Sequence, residues 1–288
     1  MHMSGTLYLC ATPIGNLEDI TLRVLRCLKE VDLIAAEDTR NSIRLLTHFD
    51  IHTPMTSYHE YNKIDKAYTL VAKMKEGQNV ALITDAGTPG ISDPGEDLVR
   101  ICHEEGIMVT SLPGASAVIT ALTLSTLPTR RFCFEAFLPR DKKERKEILK
   151  ELESETRTII VYEAPHHLLS TLKELHGALG DRRITICREL TKKYETAFVT
   201  TFAEAVTYYE ENAPKGECVI VIEGRSREEL RQLEQKSYEN IPLSEHMERY
   251  TSQGMSSKEA MKCVAKDRGV SKRDIYRELL SAEDSAKE

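Results

Sequence analysis

The densest chemical signal in this 288-residue chain is Thr84-Asp85-Ala86-Gly87-Thr88-Pro89-Gly90-Ile91-Ser92-Asp93-Pro94-Gly95. Three glycines and two prolines at the end of an apolar run build a rigid loop that brings backbone close to a ligand, where a bare tight turn needs only one or two of them. Asp85 is placed to accept hydrogen bonds from a ribose or an amine, and the helix expected after Gly95 offers N-terminal amides suited to a carboxylate. Thr12-Pro13-Ile14-Gly15-Asn16 and Leu112-Pro113-Gly114-Ala115-Ser116 are loops of the same kind. None of the three is a Walker A or a GxGxxG sequence. Nucleoside triphosphates and a standard dinucleotide site therefore lose support, and a small nucleoside-containing cofactor held by several separate loops gains it.

Polar clusters stand at the ends of other apolar runs. Glu37-Asp38-Thr39-Arg40 serves either as a helix N-cap with a solvated arginine or as a clamp on substrate or cofactor. Ser57-Tyr58-His59-Glu60-Tyr61-Asn62 gathers hydrogen-bonding groups and aromatic rings suited to a nucleotide. Glu163-Ala164-Pro165-His166-His167 and Arg188-Glu189-Leu190-Thr191-Lys192-Lys193 follow two later runs, and a cationic pair there can neutralise a phosphate or orient a polar oxygen.

The elements that position these loops are legible in the hydropathy pattern. Short apolar runs at Leu7–Ala11, Val31–Ala36, Val80–Thr84 and Val109–Leu112, with a weak one near 53–56, alternate with amphipathic stretches. This predicts a largely parallel sheet covered on both faces, with ligands gathered where the strand order reverses. Thr21 is read as a cap for a helix whose Leu22, Leu25 and Leu28 form one apolar face. Beyond Leu127-Pro128-Thr129-Arg130 come runs at 132–137, 158–162, 184–187, 197–199 and 218–222, read as a second α/β domain with an antiparallel or mixed sheet. The charged helix Asp141–Glu155 is expected to face water. Residues 226–240 read as a linker helix or loop. Ser256 and Ser271 then cap two helices joined at Gly269, a helix-turn-helix-like pair. The expected divisions are 1–127, 128–228 and 229–288.

Bulk properties limit the function classes. Hydrophobic residues make up 41% and charged residues 30%, the balance of a folded globular protein. No apolar run approaches the roughly 20 residues of a membrane span, so no membrane association and a cytoplasmic location are expected. Seven cysteines without a CxxC pair argue for free thiols, with Cys10, Cys133, Cys187 and Cys218 expected to be buried. The nine histidines show no metal-ligand spacing, so no metal is expected. A net charge of -7 argues against indiscriminate coating of nucleic acid. Residues 256–277 nevertheless carry seven Lys/Arg against three acidic residues, either an ordinary charged helix surface or a basic module for a structured polyanion.

Taken together, ATPIGNLEDIT (11–21), AAEDTR (35–40), DAGTPGISDPG (85–95), LPGASA (112–117), FLP (137–139), YEAPH (162–166), RELTK (188–192) and KGE (215–217) resemble the RsmI family of 16S rRNA (cytidine-2'-O)-methyltransferases, within the tetrapyrrole methylase superfamily. The resemblance spans about Gly5 to Gly224, and SKRDIY (271–276) is similar to that family's C-terminal helical module. It implies a homodimer that binds S-adenosylmethionine in a cleft between two α/β domains and methylates the 2'-hydroxyl of cytidine 1402 of 16S rRNA in the small ribosomal subunit. It also implies a cofactor site at Pro13, Ile14, Gly15, Asp85, Gly87, Thr88, Ser116, Ala117, Tyr162, Ala213 and Pro214. Expected on the substrate side are Glu37, Asp38 and Arg40, with His59 and Asn62 positioning the nucleotide, Glu163 near the methyl group, and Arg188 and Lys192 on ribose or phosphate. His167 stands where the family commonly has arginine, and Ala136 and Thr126 replace frequent glycines. The alternatives are a tetrapyrrole or modified-protein methyltransferase of the same superfamily and a non-catalytic RNA-binding assembly factor.

Overall fold

A computed structural model describes residues 4–285. The first half runs β1 (Thr6–Cys10), α1 (Leu22–Glu30), β2 (Leu33–Ala36), α2 (Thr39–His48), β3 (Met55–Ser57), α3 (Lys63–Lys75), β4 (Val80–Ile83), α4 (Gly95–Glu104), β5 (Met108–Leu112) and α5 (Ala117–Leu124). Its strands form one parallel sheet in the order β3-β2-β4-β1-β5. Because side chains alternate along a strand, Val80 and Leu82 of β4 pack with Leu70, Met74, Leu98 and Ile101 of α3 and α4. Ala81 and Ile83 instead face Val24, Leu28 and Leu46 on the opposite side. Thr21 does cap α1, its hydroxyl accepting from Val24 N at 3.2 Å. The apolar face differs from the expected one: Val24, Cys27 and Leu28 are buried, whereas Leu22 is 86% exposed. As the first residue of the helix, Leu22 stands six residues from Leu28, about 120° away around the axis, and lies off the buried stripe.

The chain leaves β1 toward β2 on one side of the sheet and leaves β4 toward β5 on the other. The loops after these adjacent strands therefore diverge and open a crevice at their C-terminal ends. An isolated antiparallel bridge fixes its mouth: Thr12 N donates to Gly87 O at 2.9 Å and Gly87 N to Thr12 O at 3.0 Å.

The second half contains β6 (Phe132–Phe137), α6 (Lys142–Glu153), β7 (Thr158–Glu163), α7 (Leu168–Leu179), β8 (Arg183–Arg188), β9 (Thr196–Thr201), α8 (Phe202–Glu211) and β10 (Cys218–Ile222). The sheet order is β6-β7-β10-β8-β9, with β6 and β7 parallel and the other pairs antiparallel, the mixed sheet expected. Helix α6 does not wholly face water: Leu149 and Leu152 join Leu168, Leu172, Phe202 and the sheet in one core. Each such leucine contributes roughly 1.5–3 kcal/mol by burial. Helix α5 covers the other face, where Val118, Ala121 and Leu122 pack on Ile160, Cys187, Val219 and Val221. Both sheets therefore belong to one compact unit, which runs to Glu153 and resumes over Arg157–Glu223. Cys10, Cys187 and Cys218 are buried, but Cys133, on the edge strand β6, is half-buried; none of the seven cysteines forms a disulfide.

Thr126 and Ala136 have φ of 60° and 50°. Ala136 sits where the β6–β7 register shifts between Phe134 and Phe137. Left-handed backbone at both positions is the physical reason glycine suits them.

Ser154–Thr156 and residues 224–285 form a second compact unit. It contains α9 (Arg227–Ser237), α10 (Leu243–Thr251), α11 (Ser257–Asp267) and α12 (Lys272–Ser285). Within 226–240, Arg227–Ser237 is a helix opened by a Ser226/Glu229 capping box. Helix α10 was not anticipated, because its buried residues, Leu243, His246 and Met247, include a histidine in place of an apolar residue. His246 Nδ1 accepts from Arg268 Nε at 3.3 Å, leaving Nε2 to donate to Asp267 Oδ2 at 3.2 Å. Tyr250 Oη donates to the same oxygen at 2.5 Å.

Candidate active site

A cavity of about 300 Å³ opens at the crevice between the β1 and β4 loops and extends to the second sheet. From the first half it is lined by Ile14, Glu37, Thr84 to Thr88, Ile91 to Asp93, Ser116 and Ala117. Phe137, Tyr162, Glu189, Leu190, Lys192 and Glu217 to Val219 complete it from the second.

Local chemistry explains the shape of the wall. Asp93 accepts from Gly90 N at 2.8 Å, from Ile91 N at 3.3 Å and from Gly95 N at 2.9 Å. The carboxylate at the start of α4 is thus the loop's own, and the Gly95 amide expected for a ligand is already satisfied. Gly95 has no room for a side chain, since a Cβ there would lie 2.7 Å from Asp93 Oδ1 and 2.9 Å from Gly90 N. Thr12 Oγ1 donates to Thr84 O at 3.1 Å and Thr88 Oγ1 to Ala115 O at 3.0 Å, tying the three glycine-bearing loops together.

Glu37 Oε2 accepts from Thr84 Oγ1 at 2.5 Å and from Asp85 N at 3.4 Å. Asp85 Oδ2 accepts from Asn41 Nδ2 at 3.1 Å. Removal from water, together with the Glu37 and Asp38 charges, raises the Asp85 pKa, while the Asn41 bond opposes the shift. Tyr162 packs edge-on against Phe134 and Phe137, with ring centroids 4.9 and 5.6 Å away, and burial pushes its hydroxyl up to about 12. Among the lining residues Glu37, Asp85, Asp93, Glu189 and Glu217 are acidic and Lys192 alone is basic. The field in the cavity favours a cationic small ligand and disfavours a polyphosphate.

The residues singled out in the sequence divide into two groups. Ile14, Glu37, Asp85, Gly87, Thr88, Ser116, Ala117, Tyr162 and Lys192 come together in the cavity wall. Pro13, Gly15, Asp38, Arg40, His59, Asn62, Glu163, Arg188, Ala213 and Pro214 do not line it. Gly15 stands just behind it, where a Cβ would meet Lys192 Cγ at 2.6 Å. Asp38 is the N-cap of α2 and pairs twice with the exposed Arg40, at 3.1 and 2.8 Å. Those bonds lower the Asp38 pKa to about 2. Asn62 Oδ1 accepts from His59 N at 2.9 Å, and His59 Nδ1 is buried without a partner. Both Glu163 oxygens are engaged, by Ala164 N at 2.8 Å and Thr171 Oγ1 at 2.6 Å, so this side chain braces the β7–α7 turn. Arg188 Nη1 donates to Lys215 O at 3.4 Å. His167 is exposed, its ring tilted at 48° against that of His166.

Phe137, Glu189, Leu190 and Glu217 were not singled out individually, although each lies inside one of the motif blocks. Among the described residues no cluster of three or more His, Cys, Asp or Glu is arranged to hold a metal, and no helix is long and apolar enough to cross a membrane.

Comparison with known proteins bears on this geometry. Residues 6–206 match the tetrapyrrole (corrin/porphyrin) methylase family. The chain is 50% identical over 272 residues to ribosomal RNA small subunit methyltransferase I of Halalkalibacterium halodurans, covering 94% of this chain and 93% of that protein. It is 46% identical to the Bacillus subtilis protein of the same name at the same coverage. A crystal structure of diphthine synthase shares the fold, with a TM-score of 0.62 at 13% identity over 76% of this chain and 90% of that one. The chain belongs to the tetrapyrrole methylase family and, within it, to the ribosomal RNA small subunit methyltransferase I family.

Proposed function

We propose that the protein transfers a methyl group from S-adenosylmethionine to the 2'-hydroxyl of cytidine 1402 in the 16S rRNA of the small ribosomal subunit. The observation that carries this reading is a relative of that class at 50% identity across 94% of the chain, combined with an acidic, nucleoside-sized cavity at the strand ends.

The residues present fit the cofactor. Its ammonium and sulfonium give it a net positive charge, matching the excess of carboxylates in the wall. Ile14, Tyr162 and Leu190 supply apolar and aromatic surface for a base, Asp85 an acceptor for ribose hydroxyls, and Gly87, Thr88, Ser116 and Ala117 closely approachable backbone. Pro13, Gly15, Ala213 and Pro214 shape the loops behind them. Bound there, S-adenosylmethionine supplies an electrophilic methyl whose departure leaves a neutral thioether. What remains for the chain is alignment of the ribose oxygen and exclusion of water. Glu37 and Lys192 stand in the wall for that purpose. Asp38, Arg40, His59, Asn62 and Arg188, outside the wall, serve the flanking nucleotides. Glu163 acts through the turn it braces.

A polyanionic substrate must approach an acidic body, and the tail helices offer a suitable surface. Lys258, Lys262 and Lys266 recur every fourth residue on the exposed side of α11. Its acids are spent internally: Glu259 closes the Ser256 cap and Asp267 binds His246 and Tyr250, while on α12 Asp274 binds Ser271. A homodimer and a cytoplasmic location accompany the reading.

The test is transfer of labelled methyl to small subunits lacking the modification and, separately, to naked 16S rRNA, with the modified nucleotide mapped. Label on the one ribose is expected. Cofactor binding without transfer to either substrate would reject the reading.

A further inference from the structure

The wall contributed by the second sheet carries an arrangement that the motif blocks do not explain. Glu189 and Thr191 both adopt left-handed backbone, with φ of 51° and 66°, although neither is glycine. Each such residue costs roughly 1–2 kcal/mol, and strain of this kind persists where a side chain is needed in one place. The Thr191 amide is held by Glu195 Oε2 at 2.5 Å, and its hydroxyl is buried without a partner. This twisted turn brings Glu189 Oε1 within 3.0 Å of Lys192 Nζ.

Two glycines make the contact possible. A Cβ on Gly216 would fall 1.9 Å from Glu189 Oε1, so the glutamate lies across a notch that only glycine leaves open. A Cβ on Gly15 would fall 2.6 Å from Lys192 Cγ and 3.0 Å from its Cε, so the lysine stem passes through a second notch in the first half's loop. Both side chains are partly withdrawn from water, with 24% of Glu189 and 43% of Lys192 exposed, and both line the cavity.

We propose that Glu189 is a positioning residue: its carboxylate holds the Lys192 ammonium at the cavity wall so that the wall's only cation meets the incoming nucleotide in one orientation. This rests on the methyl-transfer reading above. A flexible lysine facing several carboxylates would otherwise sample many positions, and the orientation lost is a loss of rate rather than of folding.

The experiment uses the full chain with unmodified small subunits as acceptor. Glu189→Ala is expected to lower kcat by about a hundredfold with an unchanged melting temperature. Glu189→Gln, which keeps one acceptor oxygen but not the charge, loses less. Lys192→Ala gives a loss similar to that of Glu189→Ala, and the double variant is no worse than Lys192→Ala alone, because the two act as one unit. Lys192 acylation, followed by mass spectrometry without any acceptor, should be several-fold faster in Glu189→Ala. Wild-type kcat in Glu189→Ala, or the same fold-loss with and without Lys192, would overturn the proposal. So would an unchanged acylation rate, which is readable even if the wild type transfers no methyl and the functional reading itself fails.

Discussion

The loops that follow β4 and β8 face each other across the cavity and solve the same backbone problem differently. After β4 the left-handed positions are Gly87 and Gly90, at φ of 83° and 82°, where no Cβ opposes the turn. After β8 they are Glu189 and Thr191, which bear the full steric cost. The first loop presents backbone and needs its side chains absent. The second presents a side chain, Lys192, and tolerates strain to place it. A relaxed loop fits a site for a small cofactor, whereas a strained one fits a group that must be aimed.

Substitutions in the two loops test this contrast. Asp85→Ala, in the relaxed loop, is expected to weaken S-adenosylmethionine binding by about thirtyfold, the value of roughly 2 kcal/mol for a charge-assisted hydrogen bond. Calorimetric titration measures it, and unchanged affinity would remove Asp85 from the cofactor site. Gly95→Ala should destabilise the fold by about 2 kcal/mol through overpacking against Asp93 and Gly90, read from the urea midpoint. Thr191→Gly should do the reverse. Relief of the left-handed strain, less the greater entropy glycine loses on folding, leaves a gain of about 1 kcal/mol, and turnover should fall as Lys192 is released. A destabilised Thr191→Gly would mean that the β8 loop is not strained.

The smallest effect concerns Asp38, next to this site. Because Arg40 holds its folded pKa below the unfolded value, its stabilising contribution is present above pH 3.8 and is lost as pH falls toward about 2. Asp38→Asn should abolish that part of the acid limb, visible as a converging pair of urea midpoints for wild type and variant on acidification.

Much of this was legible in residue order. The Thr21 cap, the apolar runs of both sheets and the glycine-rich loops at strand ends are local signals, set by propensity and side-chain period within a few residues. The same locality explains the misreadings. Leu22 looked like part of an apolar stripe, yet only packing decides which arc of a helix is covered, and here the arc runs through Val24 and Leu28. Helix α10 escaped notice because His246 fills a core position whose partners, Asp267 and Arg268, lie more than twenty residues away. Glu163 stands at a strand end much as Glu37 does, but Thr171, one helix turn into α7, closes over it, while Glu37 meets Thr84 from the loop after the neighbouring strand β4.

Most of the elements, the family and the loops that hold the chemistry can be read from residue order, because each is encoded in contiguous residues; α10 is the exception. Which of those residues share a cavity is set by the packing of distant elements. The parallel order β3-β2-β4-β1-β5 sets the loops after β1 and β4 side by side, and α5 seats the second sheet's β8 loop opposite them. The meeting of Gly15, Gly216, Glu189 and Lys192 depends on contacts such as that of Gly15 with Lys192, which are far apart in the chain. No local pattern encodes such contacts, since what selects them is the exclusion of overlapping atoms between elements brought together by folding.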